Sequence, residues 1–212
     1  MGLSTVARER PKVTIKHDPF TWAVVTGFLE EATAATLARD FPADGFRVAG
    51  SNAKQFHVRN LVVDGTVSSS TRDLPDSWRT AARFLASADY ARLLGAIVDR
   101  DLAGLRIDAT LCRYPPGCSL APHTDREVRD TTHVIYLNRT WRPEWGGMLR
   151  ILRSADVDDV IEEVLPELHT SSIMVRSDRS WHAVTAVAPG IVEERLSVLI
   201  HATHPELAAA RP

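Results

Sequence analysis

Hydrophobic and polar positions follow two different periods along the chain, and the change falls near residue 105. Before it, residues 21–28 (TWAVVTGF) predict a strand and residues 29–41 a helix that ends before Pro42. Residues 42–76 are rich in Gly, Ser, Asp and Pro, so we predict irregular structure there, with a short strand near 55–63. Within 78–102, apolar residues recur at steps of three and four, which predicts one amphipathic helix: Tyr90, Leu93, Leu94, Ile97, Val98 and Leu102.

After residue 105 the period becomes two. In LRIDATLC (105–112) apolar and polar residues alternate, as in a half-buried strand. Turn-forming residues separate further predicted strands at 133–138, 147–152, 171–176, 181–187 and 194–202. Many short strands that follow helices indicate a mainly β fold with flanking helices (α+β) around a jelly-roll, cupin-like core. We therefore expect one domain over 1–212, in which a helical and mixed part (1–104) packs on a core (105–202) whose mouth holds a small ligand.

Composition narrows the function classes. The 212 residues are 44% hydrophobic and 25% charged, with a formal net charge of -2, so we expect no nucleic-acid partner. No apolar run approaches the length of a membrane span, and the N-terminus has no signal-peptide core. The sequence predicts a soluble, cytoplasmic protein whose two cysteines, Cys112 and Cys118, are thiols and not a disulfide. It does not indicate the oligomeric state.

A metal-ligand pattern lies in two separate segments. His123 and Asp125 stand two positions apart in "APHTD", and on an extended chain such positions point the same way. His182 in "SWHAV" offers a third ligand. Two histidines and one carboxylate occupy one face of a six-coordinate ion and leave three positions open, which is the ligand set of non-haem Fe(II) oxygenases. The remaining histidines lack a matching spacing and are treated as non-ligands: His17, His57, His133, His169, His201 and His204.

A candidate anion site lies in "ERLSVLI". Alternation places Arg195 and Ser197 on one strand face. A guanidinium beside a hydroxyl forms a good cradle for a carboxylate, and Tyr136 in "HVIYLN" is placed to add a phenolic hydroxyl. The alternative is that Arg195 faces solvent and pairs with Glu193 or Glu194, while Tyr136 only fills the barrel.

Taken together, these residues resemble a known family. "HTD" at 123–125, "SDRSWHAV" around His182 and "RLS" at 195–197 are similar to the Fe(II)- and 2-oxoglutarate-dependent dioxygenases, in the prolyl 4-hydroxylase-like branch. "YPPG" (114–117), "IYLN" (135–138) and "WGGMLRI" (145–151) add to the resemblance, which covers about residues 108–202. The family's fold is a double-stranded β-helix.

The resemblance implies roles for seven residues. His123, Asp125 and His182 would hold Fe(II). Arg195, with Tyr136 and more weakly Ser197, would bind the distal carboxylate of 2-oxoglutarate. Tyr114 matches a tyrosine that lines the cosubstrate or substrate pocket. No catalytic residue beyond the metal ligands is indicated.

The implied enzyme hydroxylates an unactivated C–H bond with Fe(II), 2-oxoglutarate and O2, and releases succinate and CO2. Because the chain is one compact domain with no obvious peptide-binding module, we favour a small-molecule substrate, such as an amino acid or a secondary-metabolite intermediate. The alternative within this chemistry is a peptidyl-prolyl or other protein hydroxylase. Two alternatives of other classes are a non-catalytic metal-binding jelly roll and a zinc hydrolase, which would give Arg195 no role.

Overall fold

The structure is a computed structural model that describes residues 11–49 and 56–206. Within these ranges the helices are α1 (Glu31–Arg39), α2 (Asp76–Leu85) and α3 (Ala88–Val98), with 3-10 turns at Ser69–Thr71 and Pro143–Trp145. The strands are β1 (Lys12–Lys16), β2 (Trp22–Thr26), β3 (Arg47–Ala49), β4 (Phe56–Val63), β5 (Thr66–Val67), β6 (Arg106–Tyr114), β7 (Leu120–His123), β8 (Arg129–Tyr136), β9 (Leu149–Leu152), β10 (Val160–Val164), β11 (Thr170–Val175), β12 (His182–Val184) and β13 (Arg195–Thr203).

The strands form two antiparallel sheets. The larger has the order β1-β2-β11-β8-β13-β6-β4-β3, with β5 paired to β4, and the smaller has the order β10-β9-β12-β7. Side chains from both sheets share apolar clusters, such as Trp22, Met174 and Val134 with Leu149 and Ile151. This is the double-stranded β-helix, and the predicted fold class is confirmed.

β13, in the middle of the large sheet, has one face towards the helices and the other towards a cavity. On β13, Val198, Ile200 and Ala202 belong to the cluster that also contains the apolar faces of the helices. Arg195, Ser197, Leu199 and His201 alternate with them and line a cavity between the sheets. The period of two therefore decides which residues reach the functional site.

The prediction of one helix over 78–102 is wrong. α2 ends at Leu85, and Ser87 begins α3 by accepting a hydrogen bond from the Tyr90 backbone N–H at 3.3 Å. The apolar stripe spans the break because both helices pack on the same sheet, and Tyr90 and Leu94 are fully buried. Leu102 is also buried but lies after α3 ends.

Several elements have no counterpart in the sequence prediction. β1 is exposed along its whole length although its sequence, KVTIK, alternates polar and apolar residues, and β10 is buried only at Val164. β4 falls in the predicted 55–63 segment, although residue 55 lies outside the described residues. In the described ranges, every helix is too short or too polar to cross a membrane.

Candidate active site

The three predicted metal ligands converge at the small sheet. His123 ends β7 and His182 begins β12, and the two strands pair with these residues opposite each other. Their ring centroids are 4.2 Å apart. Asp125 lies two residues beyond β7, and one ligand atom from each of the three side chains lies within 4.8 Å of the others.

The two histidines have their rings oriented by backbone carbonyls. Nδ1 of His123 lies 2.9 Å from the Ala121 oxygen, and Nδ1 of His182 lies 2.9 Å from the Ser180 oxygen. A carbonyl only accepts hydrogen bonds, so each Nδ1 carries the proton and each Nε2 keeps a lone pair. Histidines that bind metals are commonly oriented in this way. Burial, followed by the neighbouring His123 imidazole, lowers the pKa of His182 to about 4, which favours the neutral form that a metal requires.

Asp125 is held as a charged carboxylate. The Thr132 hydroxyl donates to Oδ2, and Arg129 forms an ion pair with Oδ1. Burial opposes the charged form, but the neighbouring imidazoles of His182 and His201, the Arg129 guanidinium and the Thr132 hydroxyl hold the pKa of Asp125 well below its usual range. The donor set of two imidazole nitrogens and one carboxylate therefore fits Fe(II) with open positions.

Arg195 is buried without an anionic partner. It is 3% exposed, and within the described ranges no carboxylate comes within 4.0 Å of its guanidinium. Its Nε donates to the Gly147 carbonyl at 2.7 Å, and Nη1 lies 3.3 Å from the Ser197 hydroxyl. Glu194, a proposed alternative partner, is bound by Arg113 instead. A buried guanidinium is costly without an opposite charge, so this arrangement fits a bound carboxylate.

Two tyrosines flank Arg195. The guanidinium carbon is 5.2 Å from the ring centroids of both Tyr114 and Tyr136. Tyr114 stacks on Phe56 at 4.7 Å and lines the cavity. The Tyr136 hydroxyl lies 3.1 Å from that of Ser172. The Tyr136 ring packs in a buried apolar cluster with Leu149 and Met174. Burial raises the pKa of both phenols, so both stay neutral hydroxyls.

One cavity contains the metal-ligand residues and Arg195. It encloses about 230 Å³ and is also lined by Ser197 and Tyr114. Much of the remaining wall is apolar and comes from both sheets: Phe56, Leu120, Val134, Leu149, Met174, Val184 and Leu199. Of the seven residues predicted for the site, six line this cavity. The seventh, Tyr136, does not line it but packs against Arg195.

The sequence interpretation missed two polar residues of the cavity, His201 and Arg129. His201, treated as a non-ligand, is 8% exposed and lines the cavity beside Asp125. Thr132 and Arg129 bind the Asp125 carboxylate. A signal for His201 was present, because it continues the alternation that places Arg195 and Ser197 on one face.

Comparison with known proteins agrees with this geometry. Residues 109–200 match the family model of the 2OG-Fe(II) oxygenase superfamily. The matched range contains all seven predicted site residues. This segment, somewhat less than half of the chain, is similar to the superfamily. The match and the His123–Asp125–His182 cluster indicate a 2-oxoglutarate-dependent dioxygenase that uses Fe(II), 2-oxoglutarate and O2.

Solved structures share the fold of the oxygenase. A prolyl-4-hydroxylase from Pseudomonas putida has a TM-score of 0.65 at 24% identity, over 86% of this chain and 91% of that one. A prolyl hydroxylase from Trichoplax adhaerens, in complex with a hypoxia inducible factor oxygen degradation domain peptide fragment, has a TM-score of 0.62 at 14% identity, over 90% and 87%. The non-heme alpha ketoglutarate dependent epimerase SnoN from nogalamycin biosynthesis has a TM-score of 0.53 at 17% identity, over 86% and 77%. No curated protein matches the oxygenase.

Proposed function

We propose that the oxygenase hydroxylates an unactivated C–H bond of a small molecule, such as an amino acid or a secondary-metabolite intermediate, while 2-oxoglutarate is converted to succinate and CO2. The observation that carries this proposal is the single cavity shared by the His123–Asp125–His182 cluster and Arg195. Its volume of about 230 Å³ lies below the roughly 300–1,000 Å³ typical of pockets for drug-sized ligands. Beside a cosubstrate, such a cavity has space for a compact molecule or one side chain.

The proposed roles follow the donor chemistry. His123, Asp125 and His182 would hold Fe(II), which when bound supplies the O2 and electron-transfer chemistry. Arg195 binds the distal carboxylate of 2-oxoglutarate, and Ser197 assists because its hydroxyl lies beside the guanidinium. Tyr136 keeps Arg195 in place from below, and Tyr114 forms the wall of the cosubstrate end.

The protein's own contribution is orientation and the exclusion of water. Arg195 is fixed by Gly147, Ser197 and two aromatic rings, so little side-chain freedom is lost when a carboxylate binds. The apolar wall keeps water away from the reacting groups, which strengthens the electrostatic contacts inside.

A protein hydroxylase is the second candidate function. The fold similarity to two prolyl hydroxylases, one of them in complex with a peptide, favours it. The fold similarity to an epimerase of nogalamycin biosynthesis supports the small-molecule proposal. A cytoplasmic location and a single-domain organisation over 1–212 stay predictions.

Succinate release tests the function. The purified protein is incubated with Fe(II), 2-oxoglutarate and O2, alone and with a panel of amino acids, biosynthetic intermediates and proline-containing peptides. We expect a panel member to raise succinate above the uncoupled background, with a product 16 mass units heavier than the substrate as the mark of hydroxylation. Stimulation by peptides alone would favour the second candidate.

Three variants test the residue assignments. His123→Ala and Asp125→Ala should abolish succinate formation because each removes a metal ligand. Arg195→Leu should raise the required 2-oxoglutarate concentration by about 10- to 100-fold, the worth of a hydrogen bond to a charged group. His17→Ala is the matched control, since His17 is exposed and bonded only to Thr21 in the described part of the chain. Full turnover by the His123 and Asp125 variants would reject the assignment.

A further inference from the structure

His201 lies at the end of the cavity opposite Arg195. Both side chains project from the cavity face of β13, six residues apart. With a rise of about 3.3 Å per residue, their Cα atoms are separated by about 20 Å. Asp125 lies next to His201, with 4.0 Å between Nε2 and the carboxylate Oδ1. If 2-oxoglutarate extends from the metal ligands to Arg195, as the proposed function requires, the His201 end remains for the substrate.

His201 has no hydrogen-bond partner among the described residues. Its distance of 4.0 Å to Asp125 is too long for a hydrogen bond. Both Asp125 oxygens already have other donors, Thr132 on Oδ2 and Arg129 on Oδ1. The side chain is nevertheless only 10% exposed and lines the cavity. A buried polar group is normally satisfied, so an imidazole in this position fits a contact with a molecule that occupies the cavity.

Compared with its cross-strand neighbours, His201 is the side chain at this end of the cavity that can direct a hydrogen bond to a ligand. Thr132 on β8 and Asp108 on β6 are opposite His201, and Met174 on β11 is opposite Thr132. His201, Thr132 and Met174 line the cavity, whereas Asp108 does not line it and accepts a hydrogen bond from the Asp64 backbone N–H. The Thr132 hydroxyl donates to Asp125, Arg129 forms its ion pair with Asp125, and Met174 is apolar. An imidazole offers one N–H and one lone pair in either neutral tautomer, so His201 can select an oxygen atom by position.

We propose that His201 determines substrate specificity by donating an N–H hydrogen bond to an oxygen atom of the substrate close to the carbon that is oxidised. Met174 packs against the apolar part of the same molecule. The substrate class is therefore a compact molecule with a carbonyl, hydroxyl or carboxylate oxygen near an aliphatic carbon, as in amino acids and their amides. This inference rests on the proposed function, since it takes the Arg195 end to be occupied by the cosubstrate.

Anaerobic binding measurements test the role of His201. The probes are the free L-amino acids, their primary amides and N-acetylated dipeptide amides, each titrated into the protein loaded with Fe(II) and 2-oxoglutarate. The readout is the visible absorption of the Fe(II)–2-oxoglutarate chelate, which responds to a molecule bound next to it. The proteins are the wild type, His201→Leu, His201→Gln and the exposed-histidine control His17→Leu.

For each probe that binds the wild type, we expect His201→Leu to raise the dissociation constant about fivefold or more, the worth of one neutral hydrogen bond. His201→Gln keeps a donor and should recover part of the affinity, while His17→Leu should match the wild type. The dissociation constant of 2-oxoglutarate should stay the same in all four proteins.

Three results would overturn the inference: equal probe affinity in the wild type and His201→Leu, loss of the 2-oxoglutarate chelate in His201→Leu, or no binding of any probe to the wild type. The second result would mean that His201 acts on the metal site. None of them bears on the proposed function, which fails separately if the aerobic wild-type protein forms no succinate.

Discussion

At the scale of single residues, Gly147 controls the orientation of Arg195. Its carbonyl accepts the hydrogen bond from Arg195 Nε at 2.7 Å. Its backbone has a φ of +66°, and a Cβ added there would lie 3.2 Å from Arg195 Cδ and 3.2 Å from both Trp141 and Val187. Glycine is therefore favoured at this position for two reasons: the backbone is left-handed, and the arginine approaches closely.

Gly147→Ala should weaken 2-oxoglutarate binding. We expect the dissociation constant to rise about tenfold, because the added methyl group displaces a guanidinium whose charged hydrogen bonds are worth more than neutral ones. The measurement is anaerobic titration of 2-oxoglutarate into the Fe(II)-loaded protein, together with urea unfolding.

Gly190→Ala is the control, since Gly190 has a φ of +87° but no neighbour within 4 Å of an added Cβ. Both variants should lose stability, by about 1–2 kcal/mol of backbone strain, and only Gly147→Ala should lose affinity. Equal 2-oxoglutarate affinity in the two variants would contradict the role given to Gly147.

The site residues could be predicted from the sequence because the strand period orders them. Alternation in "ERLSVLI" places Arg195 and Ser197 on one face, and the structure brings both to the cavity. The contribution of Thr132 could not be predicted, since it depends on the position of the loop that carries Asp125 relative to β8. His201 was missed because histidines were judged by ligand spacing and not by strand face.

At the scale of elements, half-buried strands were predictable and exposed ones were not. β6 and β13 carry the apolar alternation and lie in the middle of the large sheet. β1 lies at the edge of that sheet with all five residues exposed, and its alternating sequence, KVTIK, pairs with β2 along its whole length. The break between α2 and α3 was hidden because an apolar stripe reports which residues face the sheet and not whether the backbone is continuous.

Ser87 provides the capping contact that begins α3. Ser87→Ala should lower the free energy of unfolding by about 1 kcal/mol, because the Tyr90 N–H loses its acceptor. Ser87→Asp keeps an acceptor and should cost much less. Urea unfolding of the three proteins checks this, and equal stability of the wild type and Ser87→Ala would show that packing alone sets the start of the helix.

At the scale of the whole molecule, the large sheet keeps two kinds of buried histidine apart. His182 and His201 face the cavity, whereas His133 on β8 faces the helices and is fully buried. Its Nδ1 lies 2.9 Å from the Tyr90 hydroxyl, its Nε2 has no partner among the described residues, and Phe28 packs edge-on at 4.6 Å. Burial in this apolar environment lowers the pKa of His133 to about 3.

His133 should therefore make the fold sensitive to acid. The unfolded chain takes up a proton on this imidazole below about pH 6.5, whereas the folded protein resists protonation until about pH 3. The contribution to stability is complete above pH 6.5 and decreases as the pH falls towards 3, by about 1.4 kcal/mol per pH unit.

We compare urea unfolding of the metal-free wild type, Tyr90→Phe, and the double variant Tyr90→Phe/His133→Phe between pH 7 and pH 5. The double variant should have the shallower decrease, by nearly one proton, while Tyr90→Phe keeps the wild-type slope and controls for the lost hydroxyl. Because slopes are compared, a constant packing defect from the larger ring does not affect the result. Parallel curves for all three proteins would show that His133 is protonated equally in the folded and unfolded states, and that the helix side of the sheet does not exclude charge as its burial implies.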